Sequence, residues 1–538
     1  MIRLMTLIYF LSGIAAALPY VFPKLWILSW VALSPMIYFQ IKHGCDVTRK
    51  RAYLNGLTFG AGYFGVMYHW FCNLYPVFEE MGTLGAIGLI LTCWLGLAAL
   101  QSLETGFLPF FYRLIYPKGK KAYVCALLFT AMWVIFEWQE TLFWRGVPWA
   151  RMAVSQSEVP FMQQSASLLG SMFTSAIIVA VNALLAAACI ELFAVGGKLK
   201  EFYKHRRTVV LASVALGLFA ANALFGVIRM AAFDEKKGEP VKAVVIQGNI
   251  SSLDKWADGS VRYSLDLYSE LTRRCVSEYG AQMVVWPETV ITALLSNYDY
   301  NNSRADEIKD LAKETGAVLL VGALDADYDD AYYAENVYNA IYAFYPDGSV
   351  DERVYHKRHL VPFGEYTPME WFVNAVLPSL AEMNLLSDPL SPGEDSELFS
   401  TPIGKIGSLV CFDSIYETLA LDSVRDGAEI ITLSTNDSWF NDSAAVFQHN
   451  SHAALRAIET GRYVVRAANT GVSSVITPEG VTLTEIEPLV EGYACETVYS
   501  MNGRTLYSYV GNVFVYLCIF WVANRWVYWG IMRKKTVN

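Results

Sequence analysis

At 538 residues the chain has room for two or three domains, and 54% of it is hydrophobic while only 17% is charged, against roughly 25% charged in an ordinary soluble protein. Mean hydropathy is positive at +0.31, and the net charge of −10 removes nucleic acid from the partners, because a phosphate-binding face needs a basic surplus. The nine cysteines include no CxxC pair and no Cys/His cluster at metal-ligand spacing, so neither a metal nor a cofactor is expected.

Apolar runs dominate to about Ile228 and return at Tyr507. A helix crosses a bilayer with about 20 mostly apolar residues, and eight candidates meet this: 4–20, 25–39, 54–75, 84–100 (with a possible extension to 112), 122–136, 168–190, 209–228 and 507–529. The first has the look of a signal peptide, with Arg3 ahead of an apolar core and small residues at 15–17. It is counted as a span because the alternation of loop charge works only with it included. With the N-terminus in the cytoplasm, the cytoplasmic segments carry 17 Lys and Arg, and the opposite short loops carry Lys24, Arg145 and Arg151. The positive-inside rule then places whatever follows the seventh span outside the cytoplasm, which is the periplasm of a two-membrane bacterium. His69 and Glu104 lie at membrane depth with no partner evident in the sequence. The loop after the fifth span holds Trp138, Trp144 and Trp149. It reads either as an interfacial aromatic belt or as a loop that shapes a lipid entrance.

This gives a membrane domain over 1–232, a globular domain over 233–505, and a last span with a short tail over 506–538. In the globular part, strands are expected at 241–247, 283–286, 317–321, 336–345, 406–410 and 429–433, and helices at 262–279, 305–315 and 444–461. Alternating strands and helices argue a layered α/β domain. Of the cysteines only Cys275, Cys411 and Cys495 fall here, an odd number that leaves at least one thiol free unless it pairs between chains.

Three short motifs stand at strand ends. Val285-Trp286-Pro287-Glu288 is a buried strand stopped by proline with a carboxylate just beyond. Lys357-Arg358-His359-Leu360-Val361-Pro362-Phe363-Gly364-Glu365 follows. Ser408-Leu409-Val410-Cys411-Phe412-Asp413 delivers one cysteine to a turn. Taken singly, each has an ordinary reading: a solvated helix start, surface charge, an inert buried thiol. Together, Glu, Lys and Cys supply a base, an oxyanion partner and a nucleophile. A thiol of pKa about 8.5 is mostly protonated at neutral pH, so Glu288 would take its proton. Lys357 would favour the thiolate and then the tetrahedral oxyanion. To stay charged while partly buried, Lys357 needs a nearby carboxylate, and Glu365 is the nearest in its motif.

In order and spacing these motifs resemble the carbon–nitrogen hydrolase (nitrilase) superfamily. With seven spans ahead of the domain and one behind it, the whole chain resembles the apolipoprotein N-acyltransferase family. The resemblance includes Gln247-Gly248-Asn249-Ile250 with Trp256, and the run Ser434-Thr435-Asn436-Asp437-Ser438-Trp439-Phe440. It implies a helical membrane bundle of about eight spans joined to an αββα sandwich, with a Glu288–Lys357–Cys411 triad supported by Glu365. It further implies transfer of a phospholipid sn-1 acyl chain to the α-amino group of a diacylglyceryl-cysteine, through a cysteine thioester in ping-pong order. Trp256, Trp439, Phe440 and Trp149 are expected beside the lipid substrates. The family often has Glu two residues after the nucleophile. Asp413 stands there, one methylene shorter, which puts direct support by that carboxylate in question. A membrane-tethered amidase of the same superfamily, or a transporter carrying a non-catalytic globular domain, are the rival readings. Eight spans exceed what an anchor needs, and the membrane half has few charges and no obvious internal repeat.

Overall fold

A computed structural model describes residues 2–116, 121–142, 146–234, 238–296, 303–329, 333–371, 375 and 389–537. Two compact units form: Met1–Leu142 with Gly146–Ala232 and Val510–Asn538, and Phe233–Tyr509.

In the first unit, six helices among the described residues are long and apolar enough to cross a membrane: Arg3–Val21, Pro23–His43, Thr83–Ile115, Ala122–Gln139, Ser171–Ala194 and Arg206–Ala232. The expected span 54–75 differs. Its helix runs Arg49–Met67 and gives way to a 3-10 segment, His69–Met81. Asn55, Gly56, Gly60 and Gly62 are buried along it together with Phe59, Tyr63, Phe64 and Met67, so this helix packs on its neighbours through a mixed face in which small residues allow close approach. A Cβ on Gly13 of the first helix would stand 2.2 Å from the Phe59 carbonyl. Bare backbone is therefore what lets these two helices meet. The expected last span, 507–529, is interrupted: Leu506–Val510 is a short helix, and a new one begins at Val513 with Val513–Tyr528 as its apolar part. Val515 and Cys518 of that helix pack with Val134 and Met172. Glu104 does have a partner, since Gln139 Nε2 donates to its Oε2 at 2.7 Å. His69 Nδ1 lies 2.9 Å from the Val66 carbonyl. Lys118, Lys120, Trp144 and Arg145, with the side chains of Arg533, Lys534 and Lys535, lie outside the described residues.

The second unit is built on two sheets. Its strands are β1 (Glu239–Gln247), β2 (Met283–Val285), β3 (Ile291–Leu294), β4 (Val318–Tyr328), β5 (Ala334–Phe344), β6 (Tyr355–His356), β7 (Leu398–Thr401), β8 (Gly404–Val410), β9 (Ile430–Thr435), β10 (Val464–Ala468), β11 (Ser473–Ile476), β12 (Thr482–Ile486) and β13 (Gly492–Ser500). One sheet runs β13-β1-β2-β4-β5-β6, with β3 also paired to β4; the other runs β12-β11-β10-β9-β8-β7. The chain closes on itself here: β13 pairs antiparallel with β1, Ser500 opposite Glu239.

Side-chain alternation along a strand explains the layers. Val244 and Ile246 of β1 join a core with Leu265 and Leu271 of the helix Ser260–Tyr279 and Ile308 of the helix Ser303–Thr315. Val241, Ala243 and Val245 point the other way, into a core shared with Ile406, Val410, Ile430, Val465 and Val475 of the second sheet. Helices Glu417–Asp426 and Ala444–Thr460 flank that sheet. The order is helix, sheet, sheet, helix, and the carboxyl ends of the parallel strands β2, β8 and β9 lead to Glu288, Cys411 and Asn436.

Candidate active site

Glu288 follows β2 because Pro287 cannot continue a central strand. Its carboxylate is buried and held by three donors. Lys357 Nζ (3.0 Å) and Asn339 Nδ2 (2.6 Å) reach Oε1, and the Asn436 amide (2.8 Å) reaches Oε2. Gly322 of β4 makes room for this turn, because a Cβ there would sit 2.1 Å from the Pro287 carbonyl.

Lys357 follows β6 and is 1% exposed. Its ammonium also reaches Glu365 Oε1 at 2.9 Å. Burial alone would pull the lysine down, but Glu288 and Glu365 beside it reverse that and hold it well above its ordinary value. Glu365 is positioned by its own loop: Oε2 accepts from the Val361 amide at 2.8 Å. Burial raises its pKa, with Lys357 opposing and Glu288 adding to the rise.

Cys411 follows β8, opening a 3-10 turn at φ +50°, a region a non-glycine residue occupies only under constraint. It is half-buried, and none of the nine cysteines forms a disulfide. Burial pushes its thiol up, Glu288 and Asp437 add to this, and Lys357 and a hydrogen bond with the Thr435 side chain oppose it. Held this way the sulfur favours its thiol form, so any reaction at it must first remove the proton.

Asp413, questioned on length, is fully buried and well used. Its oxygens accept from the Val410 amide (3.0 Å), the Tyr355 hydroxyl (2.9 Å) and the His359 amide (2.8 Å). It therefore ties the nucleophile's strand to the segment carrying Lys357. Burial raises its carboxyl to about 6, against a pull downward from Lys357 and from these donors.

A family model described as "Carbon-nitrogen hydrolase" matches residues 242–500, and one described as "Apolipoprotein N-acyltransferase N-terminal domain" matches residues 12–184. The chain is 29% identical to an apolipoprotein N-acyltransferase of Geobacter metallireducens over 95% of its own length and 92% of that relative. It is 30% identical to one of Allorhizobium ampelinum over 89% of its length and 85% of that relative. The chain belongs to the apolipoprotein N-acyltransferase family. A solved structure of Saccharomyces cerevisiae Nit3, of the nitrilase superfamily, aligns with 48% of this chain and 90% of its own at 21% identity and a TM-score of 0.38. The several long apolar helices make this member a membrane protein.

The remaining expected residues fall in different places. Trp256 is 43% exposed at the end of the helical turn Ser252–Lys255. Trp439 and Phe440 are half-buried beyond β9, in the loop that supplies the Asn436 amide to Glu288. Trp149 belongs to the membrane unit, where it is buried with its ring 6.1 Å from that of Trp70.

Two groups of residues escaped sequence reasoning. Asn339 of β5 bridges both glutamates, its Nδ2 lying 3.1 Å from Glu365 Oε1. The signal was present, since a polar residue interrupts the apolar run of that strand. Under the cysteine lies a second cluster. His449 places Nε2 at 3.1 Å from the Cys411 carbonyl and 3.0 Å from Ser414 Oγ, and Nδ1 at 2.9 Å from Asp437 Oδ1. Arg466 Nη2 donates to Asp437 Oδ2 at 2.7 Å. Burial would raise Asp437, but Arg466 and His449 overturn it and hold the carboxyl well below the usual range. Cys411, Asp437 and His449 offer ligand atoms within 4.8 Å of one another, close enough for a cation. Both imidazole nitrogens and both Asp437 oxygens are already engaged, and the Arg466 guanidinium supplies the positive charge. The group is better suited to holding the nucleophile's turn than to holding a metal.

Proposed function

We propose that this protein N-acylates the N-terminal diacylglyceryl-cysteine of apolipoproteins, taking the sn-1 acyl chain of a membrane phospholipid and carrying it as a thioester on Cys411. The observation that carries the reading is Lys357 clamped between Glu288 and Glu365 beside a strained strand-end cysteine, in a chain of this family.

In the first half-reaction Cys411 Sγ attacks the ester carbonyl while Glu288 takes the thiol proton. The oxyanion forms against the Lys357 ammonium. Collapse breaks the ester C–O bond, and Glu288 returns the proton to the departing lysophospholipid oxygen. In the second, the acceptor amine attacks the thioester and gives its proton to Glu288. The C–S bond breaks and the sulfur takes that proton back. Ester and amine become alcohol and amide, and the enzyme is restored. Exclusion of water would protect the thioester between the two steps.

The 17-to-3 asymmetry of loop Lys and Arg supports a multi-pass protein of the bacterial inner membrane, with 1–232 and 506–538 as the membrane part and 233–505 as a periplasmic catalytic domain. There the lipoprotein N-terminus is presented by its own acyl chains.

The deciding experiment incubates the enzyme with a phospholipid labelled in its sn-1 chain and looks for label on Cys411 that neutral hydroxylamine releases. Wild type should take label and pass it to a diacylglyceryl lipopeptide. Equal labelling of Cys411→Ala would end the proposed chemistry. A reporter fused after Lys237 should read periplasm and one after Lys200 cytoplasm. A cytoplasmic signal after Lys237 would put nucleophile and acceptor on opposite sides of the membrane.

A further inference from the structure

Buried charge around the nucleophile does not balance with the triad and its supporting carboxylate alone, because Glu288 and Glu365 face the single ammonium of Lys357. A second lysine lies at the same place. Lys255 is 3% exposed, and its Nζ donates to the main-chain carbonyl of Glu288 at 2.7 Å. Burial pulls its ammonium down to about 8, while Glu288 and Cys411 act to raise it. Lysine side chains are almost never fully buried without a partner, and burying one here costs free energy that surface exposure would spare.

The carbonyl it grips belongs to a strained turn. Thr289, the next residue, is β-branched and sits at φ +44°, which persists only when surrounding structure over-determines it. The turn that presents Lys255 is itself locked: Ser251 Oγ accepts from the Asp254 amide at 3.1 Å. Asn469 then links the two sides of the site. It holds Ile250 through both its amide (3.2 Å) and its carbonyl (2.7 Å), and its Nδ2 donates to Asn436 Oδ1 at 3.0 Å. The Asn436 amide is what grips Glu288 Oε2. Backbone and carboxylate of Glu288 are thus fixed from one connected frame, by Lys255 and by Asn436.

We propose that Lys255 is a positioning residue for this reaction: its hydrogen bond to the Glu288 carbonyl holds the Glu288–Thr289 turn so that the base meets the Cys411 thiol, and its charge offsets the second buried carboxylate. The proposal rests on the triad reading above.

Single-turnover labelling of Cys411 by the sn-1-labelled phospholipid, in the full-length enzyme, separates positioning from folding. Misfolding lowers the amplitude; poor positioning lowers the rate constant. Lys255→Met should slow thioester formation about tenfold or more, the factor that loss of one charge-assisted hydrogen bond allows, with the half-saturating phospholipid concentration unchanged within about twofold. Lys255→Gln keeps a donor without the charge and should fall between Met and wild type. Where Lys255→Met gives no label at all, a slowed rate constant in Lys255→Gln supports the proposal and a wild-type one overturns it. Wild-type rate constants in both variants, whatever their amplitudes, also overturn it. Glu288→Gln runs beside them, since normal labelling of that variant breaks the triad reading itself and not the role of Lys255.

Discussion

Two clusters of buried charge flank Cys411, and they are built to opposite rules. Around Asp437 everything is matched: one carboxylate meets one guanidinium and one imidazole, and its pKa is held well below the ordinary range. Around Lys357 two carboxylates share one ammonium directly, the second lysine, Lys255, reaches only the main-chain carbonyl of Glu288, and Glu365 is pushed up. A matched buried cluster stabilises one conformation. One that leaves a buried carboxyl raised gives up some stability, which is the usual relation between a scaffold and a functional site. Rate and stability should therefore separate when the two are mutated.

The largest effect is expected at the sulfur. Cys411→Ala and Cys411→Ser should form no hydroxylamine-sensitive acyl-enzyme while keeping the wild-type thermal midpoint in detergent. Glu288→Gln and Lys357→Arg come next, with acyl-enzyme formation slowed by about a hundredfold or more, because a planar guanidinium cannot replace a compact ammonium between two carboxylates. Near-normal turnover of Lys357→Arg would reduce that lysine to a general charge effect. On the other side of the comparison, Arg466→Met should lose about 3–5 kcal/mol of stability, the range for orphaning one partner of a buried pair, seen as a lower unfolding midpoint. Its surviving folded fraction should still acylate.

A smaller effect separates the two aspartates by pH. Asp413, raised from 3.8 to about 6, binds a proton more readily folded than unfolded, so rising pH removes stability between about 4 and about 6. Asp437 is depressed, so its contribution is present above about pH 4 and is lost as pH falls below that. The unfolding midpoint of Asp413→Asn, though lower throughout, should decline less from pH 4 to 6 than that of wild type, the remainder belonging to other raised carboxyls such as Glu365, and an unchanged decline would remove Asp413 as a source. The smallest effect belongs to the thiols away from the site. Cys275→Ser can keep the 3.2 Å bond to the Thr272 carbonyl and should cost no more than about 1 kcal/mol, and it and Cys495→Ser should keep most activity.

What could be read in advance follows from how local each feature is. Glu288, Lys357 and Cys411 were legible because each sits in a short motif with its own punctuation: an apolar strand, then a proline, a basic pair or a turn. His449 and Arg466 were not, and Asn339 showed only as a polar break in an apolar strand, because such a residue carries no mark of which partner, 12 to 51 residues away in the chain, it will meet. Lys255 carried no mark either: only the fold buries it while leaving its neighbour Trp256 exposed.

The same division runs through the architecture. Composition, hydropathy and short motifs by themselves determined a membrane chain interrupted by one globular domain, its layered α/β class, and the three residues proposed to carry its chemistry, since these depend on local apolar runs and on turns. Only the tertiary structure decided that glycines let the helix Arg49–Met67 approach its neighbours closely, that β13 returns to pair with β1, and that Asp413 needs no longer side chain to join two strands' ends. Each of these turns on close approach between segments distant in the chain, and the free energy of such contacts belongs to the pair and to neither sequence alone.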